Sequence, residues 1–221
     1  MPARADLAHR PAGTEASRTA PLAAKVTLPG SRTAARRLAS VRLGIIADIH
    51  GNDVALRAVL KDAAPFGVGR WWALGDLVLF GPRPAEVLEL LHGLDGIGML
   101  RGNTDRYVLT GEQPAPHSTA ADAAASIDLV ERGHTHVPTD RLLDGIRALN
   151  PGSAGLPRAC GTASWLLLED DGDAMAVTFR SVPFDVDAVV SDLRRRRHPN
   201  ADFVTSVLTG QGQQTRAPSS R

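Results

Sequence analysis

Short apolar runs alternate with amphipathic stretches through the middle of this chain, and that order predicts a layered α/β domain. Residues 41–47 form an apolar run of strand length. Residues 53–63 follow with Val54, Leu56, Val59 and Leu60 at helical spacing. Residues 71–74 read as a second strand. A second helix starts at Pro84, carries Val87, Leu88, Leu90 and Leu91 on its apolar face, and stops at Gly93. Residues 97–100 and 127–131 give a third and a fourth strand. Further strands are expected over 146–149, 164–169 and 174–180, the last two joined by the turn Asp170-Asp171-Gly172-Asp173. Residues 186–195 read as a closing helix.

The ends of the chain break this pattern. Residues 1–40 are rich in Ala, Arg, Thr, Ser and Pro without a sustained apolar period, and are expected to form a disordered basic extension. Residues 210–221 are polar and expected to be a loose tail, which leaves 41–209 as the folded domain. With 221 residues, 43% of them hydrophobic and 22% charged, the chain has material for one substantial core. No apolar run reaches the roughly 18 residues of a membrane span, and the N-terminus lacks the apolar stretch of a secretory signal. The expectation is a cytoplasmic protein with no membrane partner. The single cysteine, Cys160, excludes an internal disulfide and a cysteine zinc cluster, and reads as a small buried hydrophobe.

Charge is unevenly spread. Net charge is +5 over residues 1–40, +4 over 191–221 and −8 over 41–190. Neither basic end interleaves aromatics with its cations as a single-strand binder would, so both read as solvated tails and not as a nucleic-acid surface. Oligomeric state is not legible from these features.

Polar residues of one chemical kind recur where the predicted strands end. After the first strand comes Asp48-Ile49-His50-Gly51-Asn52, and after the second Gly75-Asp76. The third is followed by Gly102-Asn103-Thr104-Asp105, the fourth by Gly133-His134-Thr135-His136. Ligands bind beyond the carboxyl ends of strands in open α/β sheets, so four loops converge on one place. Carboxylate oxygen, imidazole nitrogen and amide oxygen together suit divalent Mn, Fe, Zn or Co. Two such ions would clamp a phosphoryl group, generate hydroxide near neutral pH and stabilise the charge on the departing oxygen. The competing structural reading makes Asp48 and Asp76 helix caps or turn formers, and His134 and His136 ordinary loop histidines.

The chain resembles the calcineurin-like metallophosphoesterases, in particular the small bacterial and archaeal phosphoesterases of about one domain. The resemblance covers roughly residues 42–205. It rests on the four loops above, with Leu74 before Gly75-Asp76 and Phe80-Gly81-Pro82 after it, with Arg101 before Gly102, and on Asn150-Pro151-Gly152-Ser153. It implies a four-layer α/β fold of two packed β-sheets flanked by helices. It also implies two divalent metal ions, manganese foremost, with iron, zinc, cobalt and nickel as alternatives, and a small phosphorylated substrate. By position, Asp48, His50 and His136 would hold the first ion, Asp76 would bridge, and Asn103 and His134 would hold the second. Asp105 stands where the family puts a leaving-group acid, and Asn103 would also touch the substrate phosphate.

One family feature has no counterpart. The family carries a further ligand, a histidine in a His-Gly dipeptide, between the Asn-containing loop and the Gly-His-x-His loop. Here the interval from Asp105 to Gly133 is less than half the usual length and is dominated by Ala, Thr, Pro and Ser. Part of the middle of the fold is therefore expected to be missing. His117 lies in that interval within a loop-like Gln-Pro-Ala-Pro-His-Ser stretch, and His92 precedes Gly93 at a helix end; neither is aimed by a strand. Two functions compete: a metal-dependent phosphatase or phosphodiesterase, and a non-catalytic descendant that binds metal or phosphate.

Overall fold

The computed structural model describes residues 24–27, 41–112, 133–143 and 145–211. Its strands are β1 (Ala24–Thr27), β2 (Val41–Ile46), β3 (Arg70–Ala73), β4 (Ile97–Met99), β5 (Thr139–Leu143), β6 (Ile146–Asn150), β7 (Thr162–Asp170) and β8 (Ala174–Pro183). The helices are α1 (Asp53–Ala63), α2 (Pro84–His92), α3 (Asn103–Thr110), α4 (Val186–Arg195) and α5 (Ala201–Thr209). Six strands form one mixed sheet in the order β1-β8-β7-β2-β3-β4, and β5-β6 make a separate hairpin.

Strands β2, β3 and β4 run parallel, with Ile46 opposite Ala73 and Ala73 opposite Met99. Their carboxyl ends therefore finish at one level, and the loops that follow them meet there. On the other side of β2 the sheet turns antiparallel through β7, β8 and β1. Buried Ile46, Trp71, Ala73, Trp165 and Leu167 meet Ala55, Leu56 and Val59 of α1 and Val87 and Leu91 of α2. Strand alternation sends the neighbouring Leu166, also fully buried, to the opposite face. A second apolar cluster joins α4 and α5 through Val189, Leu193, Val204 and Leu208, with Leu156 from the loop before β7.

Local chemistry explains where the main helices begin. The Asn52 side chain accepts the N–H of Ala55 and caps α1, with Asp53 in the first turn and Lys61 in the last. Asp185 caps α4 in the same way through Ala188. One tie fastens α1 to the sheet: the Asp62 carboxylate accepts the Trp165 indole N–H at 2.9 Å and two Arg180 N–H groups at 3.0 and 2.8 Å. The Arg180 guanidinium also lies 4.7 Å over the Phe66 ring.

The α/β class and the helix-flanked sheet follow the reading of the sequence. The second sheet is represented among the described residues only by the β5-β6 hairpin, which leaves Leu142, Leu143 and Ile146 exposed. Strand Ala24–Thr27 falls inside the stretch expected to lack order. The rest of 1–40, residues 212–221, the expected strand 127–131 and His117 lie outside the described residues. Cys160 corrects an expectation: it is exposed, because the loop before β7 carries it to the α5 side, where its sulfur lies 3.9 Å from the Val207 carbonyl. His92 ends α2 on the surface, with Nδ1 bonded to the Leu88 carbonyl at 2.8 Å. No helix among the described residues is long and apolar enough to cross a membrane.

Candidate metal centre

Backbone conformation marks the site before any side chain is considered. Among the described residues, six non-glycine positions have positive φ, and four of them are Asp48 (52°), His50 (52°), Asp76 (53°) and His136 (56°). Such conformations cost free energy in ordinary residues and persist only where the surroundings fix them. A fifth, Phe80, packs edge-on against the His50 ring at 5.3 Å.

Three loops interlock to hold these turns. Asp48 N–H donates to the Gly75 carbonyl at 3.1 Å and His50 N–H to the Asp76 carbonyl at 2.9 Å, so the first two loops run side by side. The loop after β6 closes from below: Ser153 Oγ donates to the Asp48 carbonyl at 2.9 Å and accepts the Leu156 N–H at 2.8 Å. Gly155 N–H reaches the same Asp48 carbonyl at 3.0 Å, and the Asn52 amide donates to the Gly155 carbonyl at 2.9 Å. Gly155 has to be glycine, since a Cβ there would sit 1.8 Å from the Ile49 carbonyl oxygen. Ser153 and Gly155 escaped the sequence reading as parts of the site. Their only signal was the Asn150-Pro151-Gly152-Ser153 motif, which has no ligand chemistry of its own.

Asp48, His50 and His136 converge as side chains. The Nε2 atoms of the two histidines are 3.4 Å apart, and Asp48 Oδ1 lies 3.6 Å from His136 Nε2 and 3.9 Å from His50 Nε2. Three ligand atoms of metal-binding type thus surround one point. His136 Nδ1 donates to the Leu156 carbonyl at 2.6 Å, which orients the ring and leaves the Nε2 lone pair toward that point. Asp48 Oδ2 is buried without a hydrogen-bond partner. An orphaned carboxylate oxygen beside two facing imidazoles is costly in a folded core unless a cation joins them, so the donor set fits a divalent ion.

The electrostatics agree. Burial, and then the negative charge of Asp76, push the Asp48 carboxyl from its ordinary 3.8 up to about 8. Burial, followed by the neighbouring His136, takes His50 from 6.5 down to about 3. His136 is likewise lowered, chiefly by burial. A site that resists both negative carboxylate and positive imidazole is one that a metal ion would relieve.

The other candidates lie outside this triad. Asp76 is buried beside it, with Oδ1 accepting two hydrogen bonds from Thr104. Asn103 begins α3 and is partly buried. His134 lies in the 3-10 turn Gly133–Thr135, exposed and outside the triad, though near enough for its charge to act on His50 and His136. Asp105, expected as a leaving-group acid, is engaged by backbone donors. Oδ1 accepts the N–H groups of Leu77 at 2.8 Å and Val78 at 3.2 Å, and Oδ2 accepts that of Gly102 at 2.9 Å. Both oxygens thus accept hydrogen bonds from the backbone of two loops, an arrangement that braces the site.

Comparison with known proteins places this geometry. No protein-family profile matches the chain. A solved metallophosphoesterase from Sphaerobacter thermophilus superposes with a TM-score of 0.59 at 25% identity, covering 76% of this chain and 98% of that one. Phosphodiesterase YfcE of Escherichia coli is 28% identical over 165 residues, 59% of this chain and 89% of YfcE. The protein MJ0912 of Methanocaldococcus jannaschii is 40% identical over 70 residues, 32% of this chain, but the match spans only 28% of MJ0912. A shared fold over nearly the full length of one metallophosphoesterase, joined to a ligand set of the matching chemistry, makes this chain similar to the small metallophosphoesterases.

Proposed function

We propose that this chain hydrolyses phosphate monoesters or diesters of small molecules at a centre of two divalent ions, manganese foremost. The carrying observation is the convergence of Asp48 Oδ1, His50 Nε2 and His136 Nε2, three ligand atoms separated by 3.4 to 3.9 Å. In this reading they hold the first ion, Asp76 bridges, and Asn103 and His134 contribute to the second. Bound divalent ions supply Lewis acidity and a nucleophilic water at neutral pH. The chain's own residues do the rest. His136 keeps its lone pair on the ion through the bond to Leu156. Asn103, at the start of α3, offers its amide to the ester oxygens. The interlocked glycine-rich loops let the backbone come close to the phosphate. The similarity to a phosphodiesterase over 89% of that protein's length supports the reaction class, and we place the activity in the cytoplasm.

The test is hydrolysis of nitrophenyl phosphate and bis(nitrophenyl) phosphate by the full chain with added Mn²⁺. Turnover is expected in the native protein and lost in His50→Ala and in Asp76→Asn. Turnover in both variants equal to that of the native protein sinks the reading. A second reading is favoured by one observation, the exposure of His134 outside the triad: a descendant that binds one ion and turns nothing over. Metal analysis after Mn²⁺ loading separates the two, one ion without turnover supporting the second reading and two ions with turnover the first.

A further inference from the structure

We propose that Thr104 is a positioning residue that fixes which oxygen of Asp76 is presented to the metal ions; this rests on the reading of Asp76 as their bridge. Asp76 Oδ1 accepts the Thr104 backbone N–H at 2.9 Å and the Thr104 hydroxyl at 2.8 Å. Both residues are buried, so neither bond is exchanged for water. Gly102 closes the other side: a Cβ there would lie 2.1 Å from the same Oδ1 and 2.8 Å from Asp76 Cγ. The pocket between Gly102 and Thr104 therefore has the shape of one carboxylate oxygen. With two donors spent on Oδ1, Oδ2 is the oxygen that would be left to hold the ions.

Asp76 sits at φ 53°, a conformation that persists only where the surroundings fix it, and this clamp is part of those surroundings. Threonine suits the position: its branched Cβ restricts χ1, so the hydroxyl is already aimed. The N–H it donates belongs to the first turn of α3, where helix donors have no partner within the helix. Asp105 completes the arrangement by holding the N–H groups of Leu77 and Val78, the two residues after Asp76. Two consecutive residues thus act on one ligand: Thr104 orients Asp76, and Asp105 anchors the chain leaving it.

Thr104→Val removes the hydroxyl and keeps the shape and the N–H, whereas Thr104→Ser keeps the hydroxyl. Mn²⁺ affinity is measured by calorimetry on the full chain without substrate, alongside metal-free melting. Loss of an outer partner of a ligand typically weakens metal binding about 10-fold or more. The Val variant is expected to show that loss with metal-free melting close to wild type, and the Ser variant to bind as wild type. Mn²⁺ binding by Thr104→Val equal to wild type overturns the proposal, as does a Ser variant as weak as Val, which would make packing the cause. A wild-type chain that binds Mn²⁺ without hydrolysing any ester defeats the proposed function while leaving this comparison decisive. One that binds no Mn²⁺ defeats both.

Discussion

The Nε2 atoms of His50 and His136 face each other at 3.4 Å, with Asp48 Oδ1 within 3.9 Å of both. Two imidazoles so placed cannot both carry a proton toward the other, and burial holds both below their ordinary value of 6.5. Asp48, pushed up to about 8, keeps its proton at neutral pH until a cation replaces it. Metal binding at pH 7 is therefore expected to release about one proton per chain. Calorimetric titration with Mn²⁺ in two buffers of different ionisation enthalpy reads that number, and identical heats in both buffers would contradict it.

The same groups set how the metal-free protein responds to pH. Asp48 is raised in the folded state, so its contribution is present below its ordinary 3.8 and is lost as pH rises toward about 8. His50 is lowered, so its contribution is present above 6.5 and lost as pH falls toward about 3. The two oppose each other between 3.8 and 6.5, and above 6.5 only Asp48 acts. Melting of the metal-free chain is expected to fall between pH 6.5 and 8, and to stay nearly level once Mn²⁺ is bound. A metal-free curve flat across that window would show that Asp48 is not strained by its surroundings.

Asp105 supplies a cleaner test of role. Asp105→Ala leaves the N–H groups of Leu77, Val78 and Gly102 without their acceptor. Buried donors left unpaired cost on the order of 3 kcal/mol in such a cluster, read as a lower urea midpoint. If Asp105 also protonated the leaving group, the variant would lose far more rate with an alkyl phosphate than with nitrophenyl phosphate. Bracing predicts a loss that does not depend on the leaving group.

Much of this was legible in the order of apolar and polar positions. Helices Asp53–Ala63 and Val186–Arg195 carry a clear apolar stripe behind a side-chain N-cap, so the pattern placed both. Strands β2, β3 and β7 are apolar enough that pattern alone found them. Helix Asn103–Thr110 escaped because only Thr104 and Asp105 on it are buried; it owes its start to Asp105 accepting the Gly102 N–H, not to a hydrophobic face. Strand Thr139–Leu143 escaped because its side chains are exposed or nearly so, which removes the alternation that marks a strand. In the site, residue type and order were enough to name Asp48, His50 and His136 as candidates, and the structure brings these three together. The hydrogen bonds of Thr104, Ser153 and Asp105 could not be read that way, because hydroxyls and carboxylates occur in loops for many reasons and only coordinates show where they point.

Packing of the loop after β6 against Ile49 predicts a sharp contrast between two glycines. At Gly155 a Cβ would fall 1.8 Å from the Ile49 carbonyl oxygen and 2.5 Å from its carbon, both backbone atoms beside a ligand pair. Gly155→Ala is expected to unfold the site, with metal-free melting lowered strongly and Mn²⁺ binding lost. Gly172 has φ +86° in the β7-β8 turn with nothing within 4 Å, so Gly172→Ala meets only backbone strain. That strain costs about 1 kcal/mol, with metal binding kept. Similar melting for the two variants would mean that the Ile49–Gly155 approach is looser than described.

Away from the site, Asp62 sets the response to acid. Hydrogen bonds from Arg180 hold its carboxyl below the ordinary 3.8, with the Trp165 indole adding to the effect. Because the folded value is depressed, the stability it contributes is complete above 3.8 and is lost as pH falls through and below that value. Asp62→Asn keeps the shape and one acceptor but cannot ionise. It is expected to melt lower than wild type at pH 7 and to lose less on acidification, so that the two melting curves approach each other below about pH 4. Parallel curves across the acid range would show that the tie between α1 and the sheet does not depend on the charge of Asp62.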